Sequence, residues 1–428
     1  EVKGFEIVGP CDEIDGMIDG VTDGNNNRKN NDAKSIYSGV GIDINNDSRH
    51  IRITQNKIHD ASSSGIRANG ADYLSIINNE VYQNTQCSSN AGSGILVENP
   101  KAIDELENPI KIGVINNIVY DNYNQVPFFD ANYDSAAYLA NNNIDLPRPN
   151  YGSSANDNGF IIDGSGIKIT SNNADNYPDG KTQVSNNIVT RNGITGITVN
   201  ENDRTEIHDN IVAWNGMVSK NAPENREDSA GISIFNSEDV SLYDNEVYVY
   251  FNDDKGYEMG TDDSIINSGF DNTQCGGVIT GNLNSYVTIE GGSCAEAYIS
   301  DLTDFLDKHQ ISRTTDTPTT TLVTTAPILP YIEDTIVGEI TTDKVLYVDS
   351  ITGSSINTGL HLDNAKKTIQ QAIDAADDGT TIFVLNNENF DSYSNPGFDN
   401  GNNNPTALDI SDKSNIILRN YPGHKPII

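Results

Sequence analysis

Apolar residues recur along this chain in two short patterns that take turns. In the first, a glycine opens a stretch with apolar residues at every second position. It reads Gly41-Ile42-Asp43-Ile44, Gly65-Ile66-Arg67-Ala68, Gly94-Ile95-Leu96-Val97, Gly166-Ile167-Lys168-Ile169, Gly196-Ile197-Thr198-Val199 and Gly231-Ile232-Ser233-Ile234. In the second, an asparagine stands two residues before an apolar one: Asn56-Lys57-Ile58, Asn79-Glu80-Val81, Asn117-Ile118-Val119, Asn187-Ile188-Val189, Asn210-Ile211-Val212 and Asn245-Glu246-Val247. A third apolar strand usually lies between them, as in Ile51-Arg52-Ile53, Leu74-Ser75-Ile76 and Val240-Ser241-Leu242. Period-two alternation is the mark of a strand with one buried face.

The spacing decides what those strands build. From Asn56 to Asn79 is 23 residues, and from Asn187 to Asn210 is again 23. Strands this short, three to a period, suit one coil of a solenoid and are too short for an antiparallel sandwich. Asparagines at one corner of successive coils would stack as a ladder, each amide bonding the next. The pattern therefore predicts an all-β parallel β-helix. Its register puts Ile42, Ile66, Ile95, Ile167, Ile197 and Ile232 inside, and Asp43, Arg67, Leu96, Lys168, Thr198 and Ser233 outside in a column with steps of roughly 4.8 Å. Glu98 falls on the same outer face, two residues beyond Leu96.

The Gly- and Asn-headed coils resemble right-handed parallel β-helix repeat proteins of the polysaccharide-lyase-like superfamily, over nearly the whole chain except the linker. A solenoid needs its ends covered, because a bare terminal coil exposes core and strand edges. Residues 344–428 read as such a start: the strand Val345-Leu346-Tyr347-Val348, then a turn-rich loop. Next comes a short capping helix over 365–376, with Ile369, Ala372, Ile373 and Ala376 on one face. The opening strands follow, Thr381–Leu385, Ala407–Ile410 and Asn415–Leu418. With Tyr347-Val348-Asp349, Gly353-Ser354, Lys367-Thr368-Ile369-Gln370 and Gly379, this segment resembles the N-terminal start of many secreted β-helix proteins. Here it stands at the C-terminus. Residue 1 opens directly in a coil, so three parts are expected: a β-helix body over 1–310, closed by a short helix over 301–309; a Thr/Pro-rich linker over 311–343; and the cap segment over 344–428.

The two ends fit each other, so that Ile428 reads as leading to Glu1 as the next rung. Circular permutation, one period of a tandem array, and a subunit whose cap completes its neighbour are three explanations. A mere boundary of the piece is the plain one. The third gives head-to-tail self-association through 344–428 and residues 1–9, which builds a filament when the rotation does not close.

Composition narrows the partners. The formal net charge is −36, spread over the whole length, so nucleic acid is not an expected partner. An acidic polysaccharide is an expected partner only with a bound cation or a local basic patch. No apolar run is long enough to span a membrane as a helix. The chain has no initiator Met or signal peptide and reads as mature, excised or a fragment. Four cysteines in a chain that looks extracellular or cell-surface are disulfide candidates. Cys275 with Cys294 and Cys11 with Cys87 is one of three connectivities.

Candidate chemistry follows from the resemblance. β-Helix lyases use an exposed sheet, where a cation or Ca²⁺ neutralises a uronate carboxylate and a base removes the neighbouring proton. On this chain that implies Lys168 as base, Arg67 as carboxylate partner, and Asp43 and Glu98 as substrate-binding groups. The plainer reading is a surface ion pair among Arg67, Asp43 and Glu98. Asn156-Asp157-Asn158-Gly159-Phe160-Ile161-Ile162-Asp163 resembles an acidic segment of β-helix proteins with suspected carbohydrate activity. Asp157 and Asp163 are accordingly candidate Ca²⁺ ligands, against ordinary turn residues. That group's His-bearing Asn-Gly-Gly-Arg-Gly-apolar-His motif has Asn192-Gly193-Ile194-Thr195-Gly196-Ile197-Thr198 here, without its Arg or His. His50, His59 and His208 are expected as turn or ladder residues. The first expectation is thus an extracellular structural or surface-assembly protein of head-to-tail β-helix modules. Behind it stand a secreted lyase or epimerase acting on acidic glycans with Ca²⁺, and a non-catalytic glycan-binding adhesin.

Overall fold

The computed structural model describes residues 1–9, 39–45, 48–85, 92–101, 110–123, 164–172, 180–217 and 230–249, together with short strands between 255 and 288. In the C-terminal segment it describes 344–385 and shorter pieces from 398 to 426. These residues form a parallel β-helix of three sheets, with eleven, nine and nine strands. The chain visits the first, second and third sheet in turn, as in Arg49–Thr54, Lys57–His59 and Ile66–Asn69, and pairs each strand in parallel with the previous coil. Only the small hairpin of Phe398–Asp399 and Pro405–Thr406 is antiparallel among the described pairings.

The expected inner column is in place. Ile42, Ile66, Ile95, Ile167, Ile197 and Ile232 pair rung to rung in the third sheet and are fully buried. The leading glycine is demanded by close approach. A Cβ at Gly94 would stand 2.7 Å from Val119 Cγ1, 2.7 Å from the Asn122 amide nitrogen and 2.8 Å from the Gly166 carbonyl oxygen. None of these can retreat, since each belongs to a packed rung. Gly94→Ala is therefore expected to cost about 1–3 kcal/mol by overpacking, read as a lower denaturant midpoint with an unchanged slope.

The corners use Asn and Asp for their backbone tolerance. Between the first and second sheets, Gln55, Asn78, Asn116, Asn186, Asp209 and Asp244 all take left-handed backbone conformations, with φ from 52° to 60°. Short polar side chains tolerate this region best. The residue after each is the expected ladder asparagine. Asn79 illustrates the bonding: its amide donates to Ile53 O and Asn117 Oδ1, at 2.9 and 3.1 Å, and its oxygen accepts from the Asn56 backbone and amide. The ladder runs through Asn56, Asn79, Asn117, Asn187, Asn210 and Asn245.

A second ladder stands beside it, five residues on. Asn84, Asn122, Asn192 and Asn215 bond amide to amide at 2.9–3.0 Å at the next corner. Sequence reasoning missed it, although the signal Asn-x-Val-x-x-Asn is present four times.

The described cap strands of the C-terminal segment pair with the first coil of the same chain. Ile417–Asn420 pairs with Val2–Lys3, Val2 facing Leu418 on one side and Ile53 on the other. Leu408–Asp409 pairs with Ile42–Asp43 in the third sheet. The rung that meets Val2–Lys3 is Ile417–Asn420; Ile427 and Ile428, from which the passage to Glu1 is expected, lie outside the described residues. The Glu1 carboxylate sits 3.8 Å from both Arg419 and Arg52, bridging the two sides of this seam.

The capping helix is shorter than expected, Ile369–Ala375. Thr368 and Gln371 form a reciprocal capping box, which fixes the start, and extended backbone at Ala376 ends it. Ile369, Ala372 and Ile373 face the core. Gln370 donates to Asp409 O at 3.1 Å and accepts from Asp409 N at 3.2 Å, so one side chain serves an edge strand. The expected closing helix over 301–309 and the linker over 311–343 lie outside the described residues.

Candidate functional site

The outer face of the third sheet carries the column that alternation predicts. Asp43, Arg67, Leu96, Lys168, Thr198 and Ser233 occupy successive rungs, extended by Asp409 at one end and Glu258 at the other. Arg67 spends its fork on Asp43, with Nε to Oδ1 at 2.9 Å and a terminal nitrogen to Oδ2 at 2.6 Å. Burial opposes the Arg67 charge, but the hydrogen bonds and charge of Asp43, with Glu98 and Asp409 nearby, hold its pKa above the ordinary guanidinium value. Glu98 accepts from the Asn69 amide at 3.2 Å.

Lys168 stands apart. It is half-buried, two rungs from Arg67 across Leu96, and has no ion-pair partner among the described residues. Its rung neighbours are Leu96 and Thr198, and Thr198 accepts from Ser233 at 3.1 Å on the next rung. Asp43, Thr198 and Ser233 are buried on this face, while Arg67 and Lys168 are partly exposed. A substrate carboxylate would have to displace Asp43 from Arg67, losing a bidentate, charge-assisted pair.

Asp157 and Asp163, the candidate Ca²⁺ ligands, lie outside the described residues. Among the described residues no cluster of three His, Cys, Asp or Glu side chains could hold a metal ion. Cys275 is buried and disulfide-bonded. Cys11, Cys87 and Cys294 lie outside the described residues, so its partner does too.

His50, His59 and His208 are stacking residues at left-handed or neighbouring positions. His50 stacks on Tyr73 at 4.8 Å, and His208 on Tyr243 at 4.6 Å. His208 also meets Asp209 at 2.7 Å and the Gln183 amide at 2.9 Å. Burial, with Glu206, Asp209 and Asp244 nearby, pushes the Tyr243 phenol up to about 12.

On the second sheet, His59, Tyr82 and Tyr120 stack in three successive rungs at 4.7 and 4.9 Å. Burial works against a charged His59, but contacts to Asp60 at 2.5 Å and Glu6 at 3.4 Å overcome it and raise the pKa above 6.5. A histidine whose pKa is higher folded than unfolded adds stability below the unfolded value and loses it as pH rises through the folded one. The melting temperature of the wild-type chain is therefore expected to fall as pH climbs from 6.5 into the alkaline range. His59→Gln should flatten that slope; an unaltered slope would remove His59 as its source.

No family model, curated protein or solved structure matches the chain.

Proposed function

We propose that this chain is an extracellular structural or surface-assembly protein whose β-helix modules join end to end through the cap segment. One observation carries the reading: the strands Leu408–Asp409 and Ile417–Asn420 pair with the first coil, although the body lies between them in sequence. Thr288 and Lys344 are separated by the 55 residues 289–343. Fully extended, 55 residues reach about 180 Å, whereas eleven strands at roughly 4.8 Å stand about 48 Å tall. The same cap can therefore close its own first coil or a neighbour's. Backbone pairing between rungs is indifferent to which copy supplies the strand. We further propose that the chain shares the ancestry of the polysaccharide-lyase-like β-helix proteins it resembles, with the scaffold kept for assembly.

Sedimentation and electron microscopy over a wide concentration range test this reading. Concatemers or filaments that grow with concentration are expected. Monodisperse single chains throughout would sink it.

A lyase or epimerase acting on acidic glycans with Ca²⁺ remains the second reading, favoured by Lys168 alone. Incubation with uronate polysaccharides, with and without Ca²⁺, should show no absorbance from unsaturated product if the first reading holds.

A further inference from the structure

We infer that Lys111 and Asp72 form an intramolecular isopeptide bond, an amide from lysine Nζ to Asp72 Cγ between two neighbouring strands of the first sheet. Register sets Leu74 beside Ile112, and Asp72 and Lys111 stand just before that first paired position on the two strands. On its other side the same strand slips register between Ile110 and Ile112, which makes Lys111 the extra residue of a bulge. Bulges re-aim side chains and occur beside reactive sites. Both side chains are fully buried, and Nζ stands 3.8 Å from Asp72 Oδ2.

The surroundings suit condensation. Asp72 Oδ1 accepts from the Tyr73 backbone N–H at 3.0 Å. Tyr73 holds φ at 50°, a conformation rare for a bulky aromatic residue and maintained only where its surroundings fix it. The Tyr73 ring lies 5.2 Å from Nζ and stacks on His50 of the preceding rung, so an aromatic ring forms one wall. Condensation runs from the neutral amine and the protonated acid, the pair in which nitrogen has a free lone pair and the carboxyl carries its proton.

The step balances without an oxidant or co-reactant. The Nζ lone pair attacks Cγ, and the carbonyl electrons move onto Oδ1, where the Tyr73 N–H steadies the developing charge. Collapse restores the carbonyl and breaks the Cγ–Oδ2 bond. Oδ2 leaves as water, taking the carboxyl proton and one from the nitrogen. Holding the groups in contact makes the reaction intramolecular. The amide removes two buried charges and clips successive coils together, whatever the protein's function.

Peptide mapping of the purified wild-type chain, reduced and denatured before digestion, tests this directly. A branched peptide joining the Asp72 and Lys111 fragments, lighter by one water than their sum, is expected. Lys111→Met and Asp72→Ala should each abolish it. Separate, unmodified peptides carrying Asp72 and Lys111 from the wild-type chain would overturn the proposal and leave an ordinary buried ion pair. The wild-type map decides even if a variant fails to fold.

Discussion

A chain ending at residue 343 is expected to lose end-to-end assembly, to unravel from its first coils and to aggregate through the strand edges they bare. The cap supplies Ile382, Val384, Leu408, Ile410 and Leu418 to the same buried cluster as Val2, Phe5 and Ile42. Burying such side chains contributes about 1.5–3 kcal/mol each, so their loss is on the order of 10 kcal/mol, as large as the whole stability of an ordinary domain. The loss is local, because solenoid coils depend mainly on their neighbours. Removal also bares the backbone of Val2–Lys3 and Ile42–Ile44, which pair with cap strands. Hydrogen exchange should report lost protection over residues 1–9 and 39–45, with protection kept around Asn187, and sedimentation should show aggregates. A monomeric truncated chain with unchanged protection at its first coil would contradict this.

Asn187→Asp is expected to destabilise the solenoid by about 4 kcal/mol at neutral pH. The Asn187 amide nitrogen donates to Val114 O at 2.8 Å and to Asn210 Oδ1 at 3.0 Å, while its oxygen accepts from Asn117 N and Nδ2. Asp keeps the acceptor, deletes both donors and sets a buried carboxylate against two oxygens. Such a group would have a folded pKa above its unfolded value, so the deficit should shrink as pH falls and the acid protonates. Asn187→Ala should also destabilise, but without that pH dependence. Chemical denaturation of both variants at two pH values checks the pair; a loss below about 1 kcal/mol for Asn187→Asp would argue that the ladder is ornamental.

The architecture was legible because every coil repeats the same constraints. Close approach at each glycine and amide bonding at each Asn corner recur whatever the loops between them do. That is why alternation alone places the Asp43-to-Ser233 column. The second ladder escaped because the first coil carries Ala61 at the equivalent corner, its backbone N–H bonding Asn84 in place of a side chain. The Arg67–Asp43 pair was foreseeable as neighbours in a column, but its bidentate geometry was not. Lys111 was less legible still. In Ile110-Lys111-Ile112 alternation places a lysine outward in water, and only a bulge and a full covering bury it. The cap segment was recognisable by pattern, whereas the rung it would meet depends on pairing between residues more than 400 apart in sequence.

That pairing is the central claim, and a cysteine pair tests it most directly. Lys3 and Arg419 are register partners across the seam, on the outer face of the first sheet. With Lys3→Cys and Arg419→Cys in one chain, mild oxidation should give a disulfide joining the two positions. It should run within single chains at low concentration and between chains, as a ladder of multiples, at high concentration. No crosslink between positions 3 and 419 at any concentration would contradict the account.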